Sequence, residues 1–322
     1  AVRDHATRGS KQAGCRLASY CGVWYHRHSR GLSHELVVTV ADRFLAIDWG
    51  TTNRRVYLIE DGQCLRTERD HRGVRATPQG SYEAELAGIR QRFGDLPVVM
   101  AGMVGSSIGW QAAPYVEAPA NFARLTAAIL RMDERTVIVP GVCQKQPADV
   151  MRGEEVQVLG AVAAGMAAPD SLLCHPGTHC KWTRMQEGVI ASFTTAMTGE
   201  LFALLREHSI LGPSIANAVA DNDAFRLGVI EGAKGDLQAA LFGIRARTML
   251  GDAIDESSFA SGLLIGNDVS RRITDDPIPI LADETVGGLY RSAIETLGGT
   301  ASIIDSHACF LAGILQIRDH LS

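Results

Sequence analysis

One stretch of this chain, returning later in altered form, limits the folds open to it. Asp48-Trp49-Gly50-Thr51-Thr52-Asn53-Arg54-Arg55 follows the apolar run Phe44-Leu45-Ala46-Ile47 and precedes a second one, Val56-Tyr57-Leu58-Ile59. Asp61-Gly62 then turns the chain into a third strand. The pattern comes back 127 residues later: Ser171-Leu172-Leu173-Cys174, then Pro176-Gly177-Thr178-His179, then Lys181-Trp182-Thr183, a Glu187-Gly188 turn and Val189-Ile190-Ala191-Ser192-Phe193. A single Gly-Thr carries little information. A strand–turn–strand unit that holds one in each half of a chain predicts a duplicated architecture.

The chemistry of such a turn suits a nucleotide. Glycine lets the backbone approach a phosphate, successive N–H groups form an anion-binding nest, and threonine adds a hydroxyl donor. Two such turns facing one cleft would hold the β- and γ-phosphates from both sides. Asp48, at the end of the first strand, is placed to hold Mg²⁺ through water, because this ion keeps much of its hydration shell. The plainer alternative is a pair of ordinary hairpin turns, one of them capped by Asp48.

Composition narrows the function classes. With 322 residues, 46% of them hydrophobic, the chain can build two cores of ordinary size. A formal net charge of −5 and the lack of a basic run interleaved with aromatics in the body of the chain argue against nucleic acid as a partner. No run of about 18 apolar residues is present to span a membrane. The seven cysteines are odd in number and scattered, which fits a reducing cytoplasm better than a disulfide framework. Residues 1–43 stand apart, with seven Lys/Arg against three Asp/Glu and four of the ten histidines. They lack the apolar core of a secretory signal. They read as an extension ahead of the true start, near Val37 to Val40, and mostly without fixed structure.

Along the body, residues 81–93 predict a polar helix with Tyr82, Leu86, Ile89 and Phe93 on one side. Leu96-Pro97-Val98-Val99-Met100-Ala101 reads as a buried strand opening into a Gly-rich loop over 102–110. A short helix near 121–130, the strand Thr136-Val137-Ile138-Val139, the Pro140-Gly141 turn and a helix over 153–167 complete the first part. The second part predicts hairpin strands, helices across 198–208 and 223–251, and strands at Leu263-Leu264-Ile265 and Ile278-Pro279-Ile280-Leu281. A helix near 289–297, the strand Ala301-Ser302-Ile303-Ile304 and a last helix around 308–317 finish it. Strands alternating with helices in this order give an α/β fold with mixed sheets.

Several blocks carry a family resemblance. They are the Asp48-Trp49-Gly50-Thr51-Thr52-Asn53 hairpin, Gly102-Met103-Val104-Gly105-Ser106 with Gly109-Trp110 and Pro114-Tyr115, Met151-Arg152-Gly153-Glu154-Glu155 with Gln157, Pro176-Gly177-Thr178-His179 with Lys181-Trp182, and Met197-Thr198-Gly199-Glu200. From residue 44 to the C-terminus the chain resembles the 2-keto-3-deoxygalactonate kinases (2-dehydro-3-deoxygalactonokinases), small members of the actin, heat-shock-chaperone and sugar-kinase superfamily. The resemblance implies two ribonuclease-H-like (actin-like ATPase) lobes, here residues 44–168 and 169–322, with nucleotide between them. It implies ATP-dependent phosphorylation of the 6-hydroxyl of 2-keto-3-deoxygalactonate, a step of galactonate catabolism. Two departures stand out: Ala282-Asp283 where the family has Gly-Ser, and Cys180 in place of a serine.

The expected site follows. Gly50, Thr51, Thr52 and Asn53 on one side and Gly177, Thr178 and His179 on the other grip the phosphates of ATP, with Mg²⁺ at Asp48. Lys181 would help spread the developing charge. Glu154 and Glu155, opening a helix whose dipole favours their ionised form, are the candidate bases, and only one can face the cleft; Glu154 is preferred. Both may equally be read as first-turn acids of the helix. The carboxylate and ketone of a sugar acid call for a cation and several donors, and Arg152, Ser106, Ser107, Trp110, Tyr115 and Thr198 are the expected lining. Arg54 or Arg55 could serve instead, and Trp110 and Tyr115 could instead anchor the core. Gly262 to Gly266 and Ala282-Asp283, after late strands, are the expected adenosine end, with Gly266 against the nucleotide.

Two other motifs are rejected. Gly105-Ser106-Ser107-Ile108-Gly109 matches a nucleophile elbow, with Asp305 and His307 downstream, but Pro114 interrupts the helix such an elbow needs. Cys174, His175, His179 and Cys180 resemble metal ligands, yet they straddle a tight hairpin that points them apart. The rival functions are a kinase of another sugar or sugar acid and a chaperone-like ATPase. The expected partner is a small sugar acid, and the sequence leaves room for a homodimer.

Overall fold

A computed structural model describes residues 42–252 and 254–321. The expected N-terminal extension lies outside the described residues except for its last two positions, and the first strand already begins at Arg43.

The first part contains β1 (Arg43–Trp49), β2 (Arg54–Glu60), β3 (Gln63–Asp70), α1 (Tyr82–Phe93), β4 (Val98–Ala101), β5 (Tyr115–Glu117), α2 (Phe122–Ala127), β6 (Leu130–Arg131), β7 (Thr136–Ile138), β8 (Gly141–Lys145), β9 (Ala148–Met151) and α3 (Glu154–Ala163). The second contains β10 (Ser171–His175), β11 (Cys180–Gln186), β12 (Val189–Ala196), α4 (Thr198–His208), α5 (Asp223–Ala233), α6 (Leu237–Leu250), α7 (Glu256–Ser270), β13 (Ile278–Leu281), α8 (Glu284–Thr296), β14 (Ala301–Ile304) and α9 (Ser306–Leu321).

The duplication is real at the level of topology. One sheet runs β3-β2-β1-β4-β7-β6 and the other β12-β11-β10-β13-β14. In each, the first three strands form an antiparallel meander and the next two lie parallel to the first. This is the ribonuclease-H-like order, present twice. A third sheet, β5-β8-β9, was not foreseen; its strands are short and carry no apolar run.

Strand alternation divides the core. In β1, Leu45, Ile47 and Trp49 face Tyr82, Leu86, Ile89 and Phe93 of α1, while Phe44 and Ala46 face Phe310, Ile314 and Ile317 of α9. A strand buried on both faces reads as a continuous apolar run, which is why β1 was legible. The last helix, α9, therefore follows a strand of the second sheet but covers the first. Helix α3 lies between, sending Val156 to the α9 side and Val158, Leu159 and Ala161 towards Leu173, Met185 and Phe193 of the second sheet.

Two expectations are corrected. Leu263-Leu264-Ile265 is not a strand but the middle of α7, and residues 223–251 form two helices that break near Lys234. Helix α7 is buried on nearly every side, from Ser257 to Gly266 without a gap, so its sequence lacks the polar stripe that marks a surface helix.

Candidate active site

The first Gly-Thr turn joins β1 to β2 and is pinned from behind. The carbonyls of Gly50, Thr51 and Thr52 accept from the N–H groups of Val74, Arg75 and Gly73 at 3.0, 3.2 and 3.0 Å. The N–H groups of Thr51 and Thr52 have no acceptor among the described residues, as a nest for an anion requires. The Asn53 side-chain oxygen accepts from His71 Nδ1 at 2.8 Å. Arg54, expected as an alternative substrate cation, is buried against Asp70 (2.6 Å) and Glu85 (3.0 Å) and lies over Trp49, so it braces the hairpin.

Three segments meet at the end of β1. Asp48 pairs with Ala101 in the parallel register, so the loops after β1 and β4 leave the sheet side by side. Gly102 (φ 95°) and Gly153 (φ 106°) adopt backbone that L side chains rarely enter, and a Cβ on Gly153 would lie 3.1 Å from the Gly102 Cα. This close approach brings the first turn of α3 to Asp48. Arg55 lies 3.3 Å from the Asp48 carboxylate. Burial pushes the Asp48 carboxyl up, Arg55 opposes this, and the charge of Glu154 adds to it.

Glu154 and Glu155 part as adjacent helical residues must. Glu155 is fully buried, both its oxygens accept from the Gly153 N–H (2.8 and 2.7 Å), and burial pushes its carboxyl up to about 8. Glu154 is half-buried and accepts from the Arg152 N–H at 2.9 Å. Asp48 offers a carboxylate of the kind that suits Mg²⁺, which takes one or two protein carboxylates and completes its shell with phosphate and water oxygens.

On the other side, the turn between β10 and β11 has unpartnered N–H groups at Gly177 and Thr178, while the Thr178 carbonyl accepts from Glu200 of α4 at 2.8 Å. His179, expected on phosphate or substrate, instead meets the Glu200 carboxylate at 2.5 Å. Lys181, expected to spread the developing charge, is buried, and its ammonium donates to the Val150 carbonyl (2.6 Å) and Thr195 Oγ1 (2.8 Å), tying strands together. Thr198, expected among the sugar-acid contacts, belongs to this half: it donates to Asp268 at 2.9 Å and lines a pocket of about 220 Å³ with Gly177, Phe202, Leu264, Ile265 and Tyr290. Gly266, expected against the nucleotide after a strand, instead packs in α7 against the Val229 backbone of α5, with no room for a side chain.

The remaining expected residues gather beside Glu154. The Arg152 guanidinium is buried, lies 4.3 Å from the Tyr115 ring, and donates to the Ala113 carbonyl at 2.9 Å; its Nε and Nη1 have no partner. Ser106 donates to the Met103 carbonyl at 2.7 Å, and Ser107 is exposed. Trp110 stacks on Tyr82, centroids 6.0 Å apart, and takes the core-anchor role. Cys174 and Cys180 lie buried 3.7 Å apart beneath the second turn.

Buried polar atoms without partners are rare in folded proteins. Among the described residues, Arg55 Nε, Arg152 Nε and Nη1, Gln157 Oε1 and His175 Nδ1 are such atoms on or beside these segments, and others lie elsewhere, as at Tyr82, Thr183 and Ser257. The sequence reading gave Gln157 and His175 no role, although His175 stands in the second hairpin where Asp48 stands in the first.

Comparison with known proteins finds relatives over most of the chain. The 2-keto-3-deoxy-galactonokinase family model matches residues 48–317. A 2-dehydro-3-deoxygalactonokinase of Escherichia coli (strain K12) is 37% identical over 286 residues, spanning 85% of this chain and 97% of its own. A Rhizobium meliloti (strain 1021) protein provisionally given the same name is 34% identical over 297 residues, 86% of this chain and 97% of its own. A crystal structure from Sinorhizobium meliloti, also provisionally a 2-dehydro-3-deoxygalactonokinase, superposes with a TM-score of 0.79 at 31% identity, over 86% of this chain and 99% of that one.

Proposed function

Since the chain belongs to the 2-keto-3-deoxy-galactonokinase family, we propose that it transfers the γ-phosphoryl group of ATP to the 6-hydroxyl of 2-keto-3-deoxygalactonate. The observation that carries this reading is the pair of equivalent Gly-Thr turns, one in each repeated sheet, whose N–H groups at Thr51, Thr52, Gly177 and Thr178 find no acceptor among the described residues.

The roles divide by chemistry. The free N–H groups of Thr51, Thr52, Gly177 and Thr178 receive phosphate oxygens. Asp48 would hold Mg²⁺, and the ion would supply neutralisation of charge on the phosphates. Arg152, with two unpartnered donors, takes the substrate carboxylate, and Ser106, Ser107 and Tyr115 surround the chain of hydroxyls. Glu154, the acid with solvent access, accepts the proton of the attacking hydroxyl. Glu155, held protonated by burial, shapes the turn at Gly153. The pocket beside Gly177 is apolar and takes the adenine, in place of the late-strand position.

We read the first sheet together with α9 as one lobe and the second sheet with α4 to α8 as the other, so the boundary near residue 168 is crossed again at residue 305. Exposed Phe242, Met249 and Leu250 on α6 make that helix the face for a homodimer. No helix among the described residues is long and apolar enough to cross a membrane, and dependence on ATP places the protein in the cytoplasm.

A coupled ADP-release assay over a panel of sugar acids tests the reading. Turnover that requires one 2-keto-3-deoxy acid, stops with a chelator and returns with Mg²⁺ is the expected result. Turnover of ATP without any sugar acid, or with a simple hexose alone, would overturn it.

A further inference from the structure

The duplication puts an imidazole in the second hairpin at the position a carboxylate holds in the first. His175 closes β10 as Asp48 closes β1: each is followed by one residue and then by the Gly-Thr turn. Each of the two strands occupies the third place in its sheet, between an antiparallel and a parallel neighbour. The two side chains are therefore topological equivalents that differ in chemistry.

His175 is not held as a structural histidine is held. Its Nδ1 is buried without a partner, and no side-chain hydrogen bond forms at Nε2 among the described residues. Charges reach it from both halves, Glu154 of α3 and Lys181 of β11. Gln157, three residues on from Glu154 and thus on the same side of α3, also has a buried oxygen without a partner. The ammonium of Lys181 is committed to Val150 and Thr195 and so is not free for the transferring group.

We propose that His175 is a further catalytic residue, whose neutral imidazole donates a hydrogen bond to an oxygen of the phosphoryl group in transit, opposite Asp48. This deepens the kinase reading above and rests on it. Burial disfavours the imidazolium, and the neutral ring still carries one N–H. In the transfer, the bond between the γ-phosphorus and the ADP oxygen breaks while a bond to the sugar oxygen forms. The hydroxyl proton passes to Glu154 and none moves to or from His175. Charge spread over the phosphoryl oxygens is what such a donor stabilises.

The test compares His175→Ala and His175→Gln in the full chain, with steady-state kinetics, ATP binding by calorimetry and thermal melts. The alanine variant should lose about 10²–10³-fold in kcat, the usual effect of removing one preorganised donor, while both KM values stay within about threefold. Glutamine, whose amide keeps an N–H near Nε2, should recover at least about tenfold of that loss. An alanine variant with parental kcat would overturn the proposal. So would a loss that glutamine does not relieve and that follows a fall in melting temperature or in ATP affinity. Rates are read with whichever sugar acid the parent phosphorylates, so an error in substrate and an error about His175 give different results.

Discussion

The Lys181 ammonium donates to the Val150 carbonyl across 2.6 Å, so a strand of the second sheet grips the chain two residues ahead of Arg152. The grip is reinforced: Lys181 also donates to Thr195, which donates to Asp149 through both hydroxyl and N–H at 2.6 Å. Strand β9 thus enters α3 tied to β11 and β12, and the two carboxylates at the start of α3 follow directly from that tie.

Lys181→Met tests the tie. It strands the Val150 carbonyl and leaves the Asp149 carboxylate a weaker network, a cost of about 2–4 kcal/mol. Urea unfolding should show a lower midpoint at unchanged slope. A variant as stable as the parent with selectively reduced kcat would instead return Lys181 to the role of a phosphoryl contact.

The two glutamates should answer differently to amide substitution. Glu154→Gln is expected to lower kcat by about 10²–10⁴-fold with ATP affinity retained, the range for loss of a general base. Glu155→Gln should leave far more activity, because the native carboxyl is already protonated at neutral pH.

Glu155 also predicts a pH dependence of stability. Its folded carboxyl titrates at about 8 against an ordinary value of 4.5, so between these the folded state binds more protons than the unfolded one. The contribution is full below the ordinary value and falls away as pH rises through about 8. Denaturant titrations from acid to pH 9 should show this decline in the parent and a flatter profile in Glu155→Gln. Equal slopes would mean that Glu155 is ionised in the folded protein.

Arg152→Lys should raise the KM for the sugar acid by about 10²-fold while changing the KM for ATP little, since a lysine cannot offer the planar pair of donors that a carboxylate accepts. A neutral analogue lacking the carboxylate should be phosphorylated poorly by the parent and no worse by the variant. If the variant loses the acid and the analogue alike, Arg152 holds the loop rather than the substrate.

Asp268 links the second turn to the helices behind it. It accepts from Trp182 (3.1 Å), Thr198 (2.9 Å) and Arg272 (2.5 Å), and burial disfavours its charge while Arg272 restores it. Asp268→Asn leaves one oxygen for three donors and should cost about 2–3 kcal/mol. Because Thr198 lines the pocket beside Gly177, the KM for ATP should rise more than that for the sugar acid, measured in the same assay.

Much of this molecule was legible in its sequence because its central strands are buried on both faces. Apolar runs such as Phe44-Leu45-Ala46-Ile47 announced β1, and the repeated Gly-Thr turns announced the duplication. Leu263-Leu264-Ile265 misled for the same reason: a helix with no wet side and a buried strand share one pattern. Strands β5, β8 and β9 escaped notice because residues such as Gln144, Lys145 and Asp149 give them no apolar signature. At the site, the residue types were readable but their partners were not. Nothing local to Lys181 shows that the Val150 carbonyl, 31 positions earlier, accepts its hydrogen bond. His175 was within reach of inspection, since aligning the two Gly-Thr turns sets it against Asp48.

Helix α9 has a consequence for how the molecule is made. Phe310, Ile314 and Ile317, spread along it, cap one face of a sheet whose strands are translated well before it. During synthesis that face stays bare until α9 has left the ribosome, so strands made early are sealed by a helix made much later.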